Sequence, residues 1–244
     1  MGARHERAFY RAMAAVMALT VFIGFAPTYY LGLFTAGPIA TNSGRPFTPL
    51  VHVHGALFTA WALLFVIQTV LVAQRRVRLH RRLGAAGIIL AILMVASGFA
   101  ISATRMSTAV SAERAAVFVV PVFEMVLFAT FVTLAFVLRR DPESHKRLML
   151  LAYASILEAA IGRLPYMRVV AGMVGRLPGG QPWFASTGIA LLFVLVAVTY
   201  DVLSRRRVHK VYVWGGTLLA LMTPIRLFIS QTGTWRAFVG LFAQ

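Results

Sequence analysis

Two histidines, two glutamates and two arginines stand inside apolar stretches of this sequence, where ionisable side chains are costly and therefore chemically informative. His52 and His54 lie near the start of the second apolar run. Imidazoles there can ligate a metal or a heme, or pass a proton. Residues two apart on a helix point about 200° apart, so the two rings are not expected to close on one ion. One ring should face the bundle and the other the interface. His54 is the inward candidate, because Trp61 and Gln68 follow it at seven-residue steps on one stripe that ends at Arg75. His54, His52, Trp61 and Gln68 are thus the cofactor-binding candidates, the plain alternative being that they hydrogen-bond neighbouring helices and bind nothing.

Glu124 and Glu158 come next. Counted at 1.5 Å per residue, each carboxylate lies roughly 15 Å deep, on two consecutive runs that should pack as an antiparallel hairpin. Two carboxylates at one depth can share a proton, bind a cation with His54 as a further ligand, or pair with arginine. Arg163 and Arg226, both about 24 Å from the basic ends of their runs, are the available partners. Glu158 and Arg163 are five residues apart, which is not a facing separation, so pairing is expected across helices. Pro121 and Pro224 lie close by and can free backbone carbonyls there. His54, Glu124, Glu158, Arg163 and Arg226 together point to a polar cavity in one half of the bilayer, or to a buried ion-pair network that fixes helix register.

Three further histidines recur at a spacing of about 65 residues, in the contexts Leu79-His80-Arg81-Arg82-Leu83, Ser144-His145-Lys146-Arg147-Leu148 and Val208-His209-Lys210-Val211. Each follows an arginine cluster. Flanking cations disfavour imidazole protonation and place the three at headgroup level, where they are expected to mark the interface.

The elements that must position these groups are transmembrane helices. Of 244 residues 59% are hydrophobic and only 13% charged, against roughly a quarter charged in soluble domains. Apolar runs occupy 8–34, 50–74, 83–103, 115–138, 148–170, 184–204 and 211–232, each long enough to cross a hydrocarbon core of about 30 Å. In lipid the backbone must satisfy itself within each run, so the expected fold is all-α: a seven-transmembrane helix bundle forming a single integral membrane domain over 1–244. The first run is too long for a signal-peptide core and reads as a retained span bent near Pro27. Thr48-Pro49 and Asp141-Pro142 mark the starts of the second and fifth helices. The formal charge of +17 does not indicate a nucleic-acid partner, because the cations come in bursts between apolar runs. The expected partners are the lipid bilayer and either another membrane protein or a second copy. With no cysteine, thiolate metal sites and iron–sulfur clusters are excluded.

Sixteen of the 24 lysines and arginines fall in the N-terminal segment and the loops after the second, fourth and sixth runs. The positive-inside rule then puts the N-terminus in the cytoplasm and the C-terminus outside. The histidine repeat suggests one leading helix followed by three helical hairpins, a possible triplication.

The stretches from Val51-His52-Val53-His54-Gly55 to Trp61, Leu79 to Gly84 and His145 to Leu150 resemble a group of uncharacterised multi-pass bacterial membrane proteins. The His-Lys-Arg-Leu-Met-Leu start is similar to small integral proteins associated with cytochrome oxidase assembly. A His-Gly pair followed by a tryptophan is similar to transmembrane di-heme cytochromes, but a second in-span histidine pair is missing. The resemblance implies a bacterial inner-membrane location and transfers no activity. Three readings stay open: an outer-half pocket that binds a metal ion, heme or quinone in a redox setting; a small proton-coupled transporter using Glu124 and Glu158; and a non-catalytic assembly or accessory subunit.

Overall fold

The structure, a computed structural model, describes residues 3–34, 47–106, 112–178 and 180–242. Among the described residues every regular element is helical. Six stretches are long and apolar enough to cross a membrane: Arg4–Phe34, Pro49–Ala73, Val77–Met106, Ala115–Val137, Phe184–Arg205 and Lys210–Gln231. The chain is therefore a multi-pass membrane protein by the length and composition of its helices.

The breaks in these helices sit where proline chemistry requires them. Helix α1 (Ala3–Phe25) widens into a π turn over Ala26–Tyr30 and tightens to a 3-10 turn over Leu31–Phe34. Pro27 causes this, since its ring crowds the carbonyl four residues back and offers no N–H. Helices α2 (Pro49–Ala73) and α3 (Val77–Met106) form a hairpin. The next stretch is divided at Phe118 into α4 (Ala112–Val117) and α5 (Val119–Val137), because Pro121 cannot bond back to Val117.

The fifth run departs from expectation. It was expected to be helical over 148–170, but α6 spans Pro142–Ile161 and a short helix, α7 (Met167–Gly175), follows after a turn. Pro165 accounts for the difference: it has no N–H and disfavours helical geometry at Leu164, just after the permissive Gly162. At the other end the Asp141 carboxylate caps α6, accepting from the backbone N–H of Glu143 at 3.1 Å and of Ser144 at 3.4 Å, and from the Ser144 hydroxyl at 2.6 Å. These bonds, led by that of the hydroxyl, hold the Asp141 carboxyl below the usual carboxylate range. The chain ends with α8 (Phe184–Arg205), α9 (Lys210–Gln231) and the short α10 (Gly233–Gly240).

Helix α6 is the axis of the bundle, packed against α1, α5, α8 and α9. Every residue from Leu150 to Glu158 is buried, so this helix has no lipid face. Tyr153 meets Trp61 of α2 edge-on at 5.1 Å, and Trp61 meets Phe128 of α5 at 5.0 Å. Large apolar side chains such as Leu19, Ile89, Ile92, Leu195 and Phe228 are exposed on the surrounding helices. On membrane-crossing helices these are the lipid-facing surface.

Contact between α1 and α6 depends on Gly24, where an added Cβ would run into the Ala160 carbonyl. Backbone cannot move aside as a side-chain tip can. Gly24→Ala should therefore destabilise the bundle by about 1–3 kcal/mol, as overpacking does in well-packed cores. Unfolding in mixed micelles measures this; an unchanged midpoint would contradict the close packing of α1 on α6.

Candidate functional site

Two polar clusters hold the bundle, and they differ in charge balance. The first lies where α5, α6, α8 and α9 meet. Glu158, 5% exposed on α6, accepts from the Thr187 hydroxyl of α8 at 2.6 Å and from Arg226 Nη1 of α9 at 3.1 Å. Arg226 is 2% exposed, with its guanidinium 5.7 Å from the Trp183 ring. Its Nε has no partner. It follows Pro224, which offers no N–H to the helix and so loosens α9 beside the charge. Glu124, projecting from α5, is 4% exposed, and its Oε1 has no hydrogen-bond partner among the described residues. Glu158, Arg226 and Arg163 are the charged groups that act on it electrostatically. A cavity of about 10 Å³ bounded by Ser155, Glu158, Thr187 and Arg226 adjoins the ion pair, room for about one water.

Arg163 takes a different role from Arg226. It lies exposed in the turn after α6, donates to the Ala159 carbonyl and places its guanidinium 4.7 Å from the Phe25 ring. Five residues from Glu158, it makes no ion pair with it among the described residues.

The histidine candidates on α2 occupy separate surroundings. His54 Nδ1 is 2.9 Å from Ser97 Oγ of α3. The Ser97 hydroxyl has one proton, directed to the Leu93 carbonyl at 2.7 Å, so His54 Nδ1 donates and Nε2 is left as the acceptor nitrogen. His52 lies between the Tyr29 and Phe47 rings at 5.8 and 6.0 Å. Trp61 is core packing. The Gln68 amide reaches the other way, donating to the His80 carbonyl at 3.2 Å and accepting from the Gly84 N–H at 2.9 Å. The metal set expected from His54, Glu124 and Glu158 is not assembled: no three histidine, aspartate or glutamate side chains converge among the described residues.

The interface histidines divide. His80 and His145 meet edge-on at 6.2 Å, with His145 Nδ1 donating to the Ala135 carbonyl at 2.8 Å. His209 is elsewhere, as the cap of α9: its Nδ1 accepts from the Val211 N–H at 3.3 Å, and its own N–H donates to Asp201 Oδ2 at 3.2 Å. Burial, then the Arg147 charge, keeps the His209 imidazole below its ordinary value, which suits a ring nitrogen that must accept.

Asp201 belongs to the second cluster, at the arginine-rich end. Arg147 of α6 donates to both Asp201 oxygens, from Nε at 2.9 Å and Nη2 at 2.5 Å, with both side chains fully buried. Arg147 also reaches Glu143 at 2.9 Å, Lys146 bridges Glu143 and Glu6 at 2.5 Å each, and Arg205 bridges Glu6 at 2.6 Å and Glu143 at 2.5 Å. Tyr10 and Tyr212 close the cluster, their hydroxyls 3.4 Å apart. Three carboxylates from α1, α6 and α8 are matched by three cations. Sequence reasoning missed this cluster by counting Arg147 only as a topological cation. Asp201, an acid just inside an apolar run, was the signal that could have found it.

The balanced cluster is a lock between helices. The other holds two buried carboxylates against one buried arginine. The chain matches no protein-family model, no curated protein and no solved structure.

Proposed function

We propose that the protein is a small proton-coupled carrier of a bacterial inner membrane, with Glu124 as the group that takes up and releases the proton. Glu158 and Arg226 form the fixed pair beside it. One observation carries this reading: Glu124 is buried on α5, and no donor among the described residues reaches its Oε1. A buried charge without a partner is unfavourable by several kcal/mol, whereas a proton or cation bound there relieves it.

The carrier crosses the membrane seven times in this reading. Helix α6, at 20 residues, spans about 30 Å, and its charged residues are accommodated because protein surrounds it. The cation-rich loops face the cytoplasm, with the N-terminus inside and the C-terminus outside.

The test uses purified protein in vesicles with an entrapped pH dye and an imposed pH gradient. Adding the right solute from a panel of amino acids, sugars and organic acids should collapse the gradient in wild type and not in Glu124→Gln. A panel that leaves wild-type vesicles no different from empty ones would remove the carrier reading.

A further inference from the structure

Helices α1 and α8 both pack on α6, and an open apolar groove of about 370 Å³ lies along α8 beside Phe9 of α1. Leu195, Val196, Thr199 and Leu203 line its α8 wall. Phe9 of α1 stacks directly on Tyr200 of α8 at 3.9 Å, nearly parallel, and both rings line the groove. At the arginine-rich end Glu6 of α1 pairs with Arg205 of α8 at 2.6 Å. Beyond that pair the chain turns at Arg206, and Arg206 and Arg207 are exposed with no ion pair among the described residues.

We propose that this groove is a binding site for one anionic phospholipid, an acyl chain lying along Leu195, Val196 and Leu203 and the phosphate resting on Arg206 and Arg207. Three features select this occupant. The groove lies along membrane-crossing α8, so its surroundings are acyl chains. Its end carries Arg206 and Arg207, which make no ion pair among the described residues, while Glu6, Glu143 and Asp201 are taken by Lys146, Arg147 and Arg205. Basic residues at the headgroup level attract anionic lipid. A second copy of the chain docked here would face these cations with its own. The inference is independent of the carrier reading and stands if that fails.

Native mass spectrometry of the detergent-solubilised protein, titrated with phosphatidylglycerol or phosphatidylcholine of equal chain length, tests it. The expected result is retention of one phosphatidylglycerol at roughly tenfold lower concentration than phosphatidylcholine, the ratio that about 1.4 kcal/mol gives. Arg206→Gln with Arg207→Gln should erase that preference, and Val196→Trp, which fills the groove, should weaken both lipids. Arg78→Gln with Arg81→Gln, an equal charge loss at the start of α3, should leave the preference intact. Equal retention of the two lipids would overturn the proposal. So would loss of preference in the Arg78/Arg81 variant, which would mean bulk charge, or equal binding of glycerol phosphate, which would mean a phosphate site without the groove.

Discussion

Asp201→Ala is expected to destabilise the folded protein by about 3–5 kcal/mol, the largest single loss at the arginine-rich end. The fully buried guanidinium of Arg147 would lose both of its bonds to the carboxylate, and no other acid stands where Asp201 stands. Glu143 would remain on Nη1 only. The His209 N–H, which caps the start of α9 against the same carboxylate, would be stranded as well. Most of the loss comes from leaving a charge buried without its partner, not from the intrinsic worth of the pair. The double variant Arg147→Met with Asp201→Leu should therefore recover most of it and come out near wild type. Equilibrium unfolding in mixed micelles gives both numbers. A single variant as stable as wild type would mean that the arginine reaches water and that the cluster does not lock α6 to α8.

The second large effect separates the two carboxylates of the candidate site. Glu158→Leu should cost about 3–5 kcal/mol, because buried Arg226 would lose the carboxylate it is bonded to and Thr187 would lose its acceptor. Glu124→Gln should shift stability by less than about 1 kcal/mol in either direction, since the carboxylate oxygen it replaces has no donor to lose. The same measurement reads both. Equal losses at the two positions would show that Glu124 is held by a partner as firmly as Glu158, and would place it in the scaffold.

Most of the helix boundaries were legible because lipid imposes one rule on every crossing helix: apolar outside, backbone satisfied inside. That rule weakens for α6. A helix sheathed in protein can carry Glu143, Lys146, Arg147 and Glu158, so hydropathy under-reports it, and Pro165 rather than the end of the apolar run sets where it stops. Glu158 and Arg226, counted to depths of roughly 15 and 24 Å, nevertheless meet across α6 and α9 at 3.1 Å, and depth alone does not show that. It could not separate Arg226 from Arg163, since both were counted to the same depth. Only the turn at Gly162 sends Arg163 outward onto Phe25. Sequence spacing also gave His54, Trp61 and Gln68 one stripe, but a stripe seven residues apart meets different neighbours at each step: Ser97, then Phe128 and Tyr153, then His80. The Arg147–Asp201 lock was the least legible, because its two halves stand 54 residues apart and each has a simpler local reading.

Whether Glu124 exchanges a proton can be read by infrared spectroscopy of the reconstituted protein. The account predicts a carbonyl-stretch band of a protonated carboxylic acid that titrates with pH, moves to lower frequency in heavy water and disappears in Glu124→Gln, while Glu143→Gln leaves it in place. A band that survives Glu124→Gln, or one that never shifts in heavy water, would contradict it.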